Sequence, residues 1–151
     1  MPHFDSDYVE LLMRRLGRIA PDAVPRWGTL RRDTLIEHLM WVVLHSMGRS
    51  DQMAFQGNWL TRRLLAPLIL NGWVPIPKNL PIPKKDRARG VTLRCPGGLD
   101  DLRALLEEYL NLVQADEFHP APHPLFGDIG VDGWDKMHLR HFEHHLRQFG
   151  V

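Results

Sequence analysis

The segment from about Leu30 to Met47 sets the strongest limit on the fold, because a helix formed from it is apolar on nearly every side. Its apolar residues are Leu35, Ile36, Leu39, Met40, Trp41, Val42, Val43 and Leu44. The segment is too long for an ordinary strand and lacks period-two alternation, and Gly48 follows it as a good residue just past a helix end. A helix of this kind belongs in the interior of a protein.

Four further segments carry apolar residues at helical spacing: 7–17, 54–70, 99–113 and 132–149. Asp7 followed by Glu10 predicts a capped start for the first of them, and Asp100 or Asp101 predicts the cap of the third. Pro67 is expected to kink the second of these helices or to end it near Ala66. Because no segment shows a strand pattern, the sequence predicts an all-α bundle of four or five helices.

Residues 71–98 differ from the rest of the chain in their density of prolines: Pro75, Pro77, Pro81, Pro83 and Pro96. Prolines at this density prevent a regular helix or a central strand. We therefore expect a long irregular crossover that lies over the bundle. Neither flank is large enough for two ordinary domains, so residues 1–151 are predicted to form a single domain.

Composition and charge narrow the choice of partners. The formal net charge is +1, which argues against nucleic acid or an anionic membrane as the main partner. The segment around Leu35 to Met47 is too short and too polar for a membrane span. Cys95 is the only cysteine and lies in a loop-like context, so an internal disulfide is excluded and a structural or incidental role is expected. With no signal-peptide pattern, these features predict a cytoplasmic protein.

The last predicted helix carries four of the nine histidines: His138, His141, His144 and His145. His141 and His145 lie one turn apart on one face, and Gln148 continues the same line. A helical wheel places this line, together with Trp134, beside an apolar stripe, so both rings should point inward. Burying an unpartnered polar ring costs on the order of 1–3 kcal/mol, and a shared metal ion removes that cost. The alternative is a pair of hydrogen-bonded core histidines.

His38 is the natural third ligand, because it lies midway along the most apolar helix, although a core histidine is an equally good interpretation of it alone. His45 lies about 10 Å further along that helix, which is too far to share an ion with His38. His138 precedes His141 by three residues and is a candidate for the same cavity. His144 points about 100° away from its neighbour and is interpreted as a supporting or surface residue. Two histidines in a Pro-rich loop, His119 and His123, are candidates to close over the site, although plain loop residues are the favoured interpretation.

Three imidazoles suit Zn, Ni, Fe or Cu, and we expect Zn or Ni, with Fe or Mn as alternatives. All three ligands are neutral, so the ion keeps its full charge, and a bound water or a substrate thiol would be activated near neutral pH. Gln148 is placed to orient a ligating ring or to bond a bound group. Glu37 and Glu143 are candidate acid or base groups, although the wheel turns Glu143 away from the histidine line.

Several motifs resemble one known superfamily. They are W-G-T-L at 27–30, I-E-H-L at 36–39, H-P-L-F-G at 123–127 and H-F-E-H-H-L-R-Q-F-G at 141–150. Together they are similar to DinB/YfiT-like proteins, and the last resembles the signature of a subgroup whose function is unassigned. The resemblance implies a four-helix bundle of up-down-down-up topology with a long crossover. It also implies a divalent metal held by His38, His141 and His145.

Relatives in that superfamily include thiol-dependent transferases and metal-dependent hydrolases. This chain departs from the commoner H-x-G-Q ending, since it reads His145-Leu146-Arg147-Gln148, so no particular thiol is carried over. The leading hypothesis is a metalloenzyme that activates water or a small thiol for attack on a small-molecule substrate. The rival is a non-catalytic binding or stress-related bundle with a structural or incidental metal. A plain bundle with buried histidines is the third possibility. Exposed aromatics such as Trp59 or Trp73 would support a homodimer.

Overall fold

A computed structural model describes residues 3–50, 56–78, 90 and 92–151, and this part of the chain contains five α-helices and no β-strand. The helices are α1 (Ser6–Gly17), α2 (Arg32–Ser46), α3 (Ala66–Leu70), α4 (Leu99–Gln114) and α5 (Gly130–Phe149). A π-helical turn, Thr61–Leu65, leads directly into α3. The predicted all-helical class is confirmed. Within the described residues, no helix combines the length and the apolar character that crossing a membrane requires.

Two helix starts differ from the sequence prediction. The cap of α1 is Asp5, whose carboxylate accepts a hydrogen bond from the Tyr8 N–H at 2.9 Å, so the prediction of Asp7 as the cap was wrong. At α4 the cap is Gly98, and its N–H donates to Asp101 Oδ2 at 2.8 Å. Asp101 therefore acts from inside the first turn. Acidic residues recur near both starts, and spacing alone cannot choose among them.

Pro67 does not end the helix near Ala66, so that alternative of the sequence prediction was wrong. It lies in the first turn of α3, and the helix continues to Leu70. The Ala66 N–H bonds to Thr61 O, the wider spacing of a π-helix, and this turn brings the chain into α3. The predicted start of this helix near residue 54 lies outside the described residues. So does the middle of the Pro-rich crossover, at 79–89 and 91, while 71–78 and 92–98 are irregular.

The core lies between α4, which packs on α1 and α2, and α5, which contacts α1, α2 and α3. Its fully buried apolar residues include Leu12, Leu39, Leu106 and Phe142, one from each of four helices. The remaining side of α2 is covered by the end of the crossover, where the Cys95 N–H donates to Glu37 O at 3.0 Å. This arrangement explains why α2 is apolar all round, and it leaves His38 next to residues 92–95.

Replacing each of two glycines near helix ends with alanine is expected to change the free energy of unfolding in opposite directions. In α5, a Cβ on Gly133 would lie 2.6 Å from Ile129 Cβ, which is too close to relieve without moving backbone. Gly133→Ala should lower the free energy of unfolding by about 1–3 kcal/mol. In α1, a Cβ on Gly17 would meet nothing within 4 Å, so Gly17→Ala should raise that free energy by about 0.5–1 kcal/mol. Guanidinium unfolding of both variants measures the difference, and equal effects would contradict the packing at Gly133.

Candidate metal centre

Three histidine rings from two helices meet beside the core. His141 and His145 lie one turn apart on α5, and His38 comes from the middle of α2. His141 Nε2 is 3.1 Å from His38 Nε2 and 3.1 Å from His145 Nε2. One ligand atom from each of the three residues falls within 4.8 Å of the others. Nitrogens bound tetrahedrally to zinc at about 2.0 Å would stand roughly 3.3 Å apart, which is close to the two short spacings.

The tautomers of two of the rings are fixed by acceptors on their far sides. His38 Nδ1–H donates to Leu93 O at 3.0 Å, and His145 Nδ1–H donates to Gln148 Oε1 at 2.7 Å. Gln148 in turn donates from Nε2 to Trp27 O at 2.8 Å, which sets the orientation of its amide. Because a neutral imidazole carries one hydrogen, His38 and His145 each present a lone pair at Nε2.

His141 stands between these two lone pairs and cannot satisfy both. A hydrogen on His141 Nε2 could be donated to the Nε2 lone pair of only one neighbour, His38 or His145. The lone pair of the other neighbour would then face His141 Nε2 without a hydrogen between them. Its Nδ1 is buried with no hydrogen-bond partner in the described part of the chain. A cation at the meeting point would accept all three Nε2 lone pairs at once, and the donor set therefore fits a divalent metal.

Burial keeps the three rings neutral. Loss of hydration lowers the pKa of His38, although its bond to Leu93 O acts the other way. For His145, burial followed by the charge of His38 lowers the pKa to about 3. The pKa of His141 falls well below its usual range, first through burial and then through its histidine neighbours. The neutral imidazole is the form that binds metal, so no proton has to leave at neutral pH.

Comparison with protein-family models gives one decisive match. Residues 34–150 match a family described as "Protein of unknown function (DUF1569)", and this stretch includes His38, His141 and His145. The chain belongs to the DUF1569 family. A search of curated proteins found no match, and a search of solved structures found none.

Leu93 is a part of this DUF1569 site that sequence reasoning missed. Its φ of 55° lies in the left-handed region, which costs a non-glycine residue about 1–2 kcal/mol. Strain of this kind persists where surrounding contacts hold it, and here the Leu93 carbonyl accepts from His38 while Cys95 is bonded to α2. Every residue has a backbone carbonyl, so the identity of Leu93 does not reveal this role. The composition of the crossover predicted only that its chain is irregular.

The other candidates of the DUF1569 chain lie apart from the three rings. His138 is fully buried, with its Nε2 3.0 Å from Ser46 Oγ, and Trp134 donates from Nε1 to Ala121 O at 2.7 Å. The Trp134 ring packs against the rings of His45, His123 and His138. These residues form a separate aromatic cluster of which none belongs to the three-histidine group.

His144 and the two glutamates also have defined places. His144 is buried, with its ring 5.1 Å from that of His145 and 5.5 Å from that of Trp27. Glu143 accepts from Tyr8 OH at 2.7 Å and pairs with Arg15 at 2.8 Å, which engages its carboxylate away from the metal centre. Glu37 lies 3.7 Å from Arg94 beside the site.

Gln148→Leu tests how the centre is held in this DUF1569 protein. The change removes the acceptor that orients His145 and leaves Trp27 O without its donor. We expect the affinity for Zn or Ni to fall by roughly 10- to 100-fold, the usual effect of losing a group that orients a ligand. Competition with a chromophoric chelator measures it. Gln114→Ala, an exposed glutamine at the end of α4, is the control and should bind metal like the wild type. Wild-type affinity in Gln148→Leu would contradict this role.

Proposed function

We propose that this protein is a metalloenzyme that holds one divalent ion on His38, His141 and His145 and activates water or a small thiol for attack on a small-molecule substrate. One observation carries the proposal: three Nε2 atoms converge while the Nδ1 atoms of two rings are tied to fixed acceptors. An ion bound there would supply Lewis acidity and a lowered pKa to a bound water or thiol. Zn or Ni is the proposed ion, with Fe or Mn as alternatives.

The number of protein ligands favours an enzyme over a structural site. Structural zinc takes four protein ligands, whereas catalytic zinc takes three and keeps a position open. Within the described residues, the group around His38 contains only the three histidines. Of the three residues, only His38 is partly exposed, which favours its side as the approach for a small molecule. The rival, a non-catalytic or stress-related bundle with a structural metal, requires a fourth protein ligand, and the part of the chain that the structure describes offers none in this group.

We further propose the DinB-like arrangement for the bundle, with up-down-down-up topology and residues 1–151 as one domain. The helix order and the long segment between α3 and α4 support it, since that segment supplies the required crossover. A cytoplasmic location and a small-molecule or thiol partner belong to the same proposal. A homodimer is proposed because Trp59 and Trp73 are each 72% exposed, an unusual state for tryptophan in a monomer.

The function is tested by X-ray absorption and turnover on the same samples. Zn- or Ni-loaded wild type is expected to show three imidazoles and an exchangeable light ligand, which a small thiol replaces with sulfur at about 2.3 Å. Panels of ester and amide hydrolysis and of thiol transfer should then give turnover that His38→Ala lacks. Four protein ligands with no exchangeable position would contradict the enzyme and favour the structural rival.

A further inference from the structure

A continuous set of side chains runs from the surface to the metal centre. Lys78 Nζ stands 4.3 Å from the centroid of the Trp27 ring, a cation–π contact. The Trp27 ring lies 5.5 Å from that of His144, and His144 lies 5.1 Å from His145. The carbonyl of Trp27 also accepts from Gln148, the residue that orients His145. Lys78 is therefore linked through Trp27 to Gln148, which orients the ligand His145.

The charges along this route are positive. Lys78 is exposed and, in the described part of the chain, forms no ion pair. Arg147, in the last turn of the helix that carries His144, adds a second positive charge. The carboxylate next to His38 in sequence, Glu37, is already paired with Arg94. Among the described residues, no acidic side chain is therefore paired with Lys78.

The ligand set adds to this field. Three neutral imidazoles contribute no negative charge, so a divalent ion on them would keep its full charge. An anionic molecule would be drawn both to the ion and to the free ammonium of Lys78. A cationic molecule would be repelled by both.

We propose that the substrate of the metal centre carries an anionic group, a carboxylate or a phosphate, which the Lys78 ammonium binds beside Trp27 while the reacting end of the substrate reaches the three histidines. This inference rests on the proposed function. Lys78 positions the substrate, and its contribution is to affinity and orientation. Because the ammonium is exposed, the gain should be moderate and sensitive to salt.

Matched metal-binding probes test the metal centre and the anion site at Lys78 separately. Alkyl monohydroxamic acids of increasing chain length would be compared with analogues that differ only in a terminal carboxylate or phosphonate. Calorimetry on Zn-loaded wild type is expected to show that one anionic analogue binds roughly fivefold more tightly than its plain partner. The advantage should shrink as salt is raised. The carboxylate and phosphonate series show which anion is preferred.

Variants at Lys78 decide the assignment. Lys78→Gln should lose the advantage and Lys78→Arg should retain it, while Lys136→Gln, which removes a lysine paired with Asp132, should behave as wild type. Equal binding of the plain and anionic probes at every chain length would overturn the inference and leave the metal centre intact. An advantage that survives in Lys78→Gln would also overturn it. If no hydroxamate binds the loaded protein, the proposed function and this inference both fall.

Discussion

His141→Ala is expected to weaken the binding of Zn or Ni by more than about 100-fold, a larger loss than removal of an orienting group would cause. His141 Nε2 lies 3.1 Å from both other ligand atoms. Its loss leaves only the Nε2 atoms of His38 and His145 as ligands, without the nitrogen that is close to both. The variant should keep its helices, because the ring is bonded only within the cluster. Competition titration measures the affinity, and circular dichroism checks the fold.

His119→Ala is the matched control for this result. His119 is an exposed histidine in the loop before α5, so its loss should leave metal affinity unchanged. A His141→Ala protein that binds metal as tightly as the wild type would show that the convergent ring nitrogens are not the ligands.

As pH is lowered, the free energy of unfolding of His138→Phe is expected to fall less steeply than that of the wild type. Burial, followed by the charge of His123, lowers the pKa of folded His138 to about 3, whereas an unfolded histidine has a value near 6.5. Its folded-state pKa is the lower one, so the unfolded chain binds the proton first. The contribution to stability is present above pH 6.5 and is lost as pH falls toward 3. At pH 4.5 His138 alone should make the free energy of unfolding about 2–3 kcal/mol lower than it is well above pH 6.5.

The measurement is guanidinium unfolding of metal-free protein at several values between pH 8 and pH 4.5. Phenylalanine suits the position, because the His138 ring packs against Phe4, Tyr109 and Phe142. The Ser46 hydroxyl still donates to Val43 O after the change. His119→Phe serves as the control and should follow the wild type. Equal pH slopes for wild type and His138→Phe would show that His138 is not held neutral by burial.

The sequence was most informative where periodicity and burial coincide. The apolar circumference of α2 predicted an interior helix, and Leu35, Leu39 and Val43 are indeed fully buried. The spacing of His141 and His145 predicted that their rings share a face, because side chains four residues apart on a helix stack. Spacing also placed Gln148 next to His145. For His38, periodicity left a core histidine and a ligand equally open, and only the three-dimensional arrangement brings it to the other two rings.

Other features depend on backbone geometry or long-range packing that residue types do not encode. The Leu93 carbonyl reaches His38 across 55 residues of chain, through a loop whose path a proline count cannot supply. His138 and Trp134 share the inward side of α5 with His141, yet the Trp134 ring packs against those of His45 and His138, and neither residue joins the three-histidine group. Pro67 was expected to kink its helix or to end it near Ala66, yet after a π-helical turn the helix continues to Leu70.

The most direct test of the three-histidine centre is the metal content of protein purified without an affinity tag, measured by elemental mass spectrometry. The wild type is expected to carry one divalent ion per chain, as isolated or after reconstitution with Zn or Ni, and both His38→Ala and His145→Ala should carry none. A wild-type protein that takes up no metal after reconstitution, or variants that hold it as the wild type does, would contradict the centre.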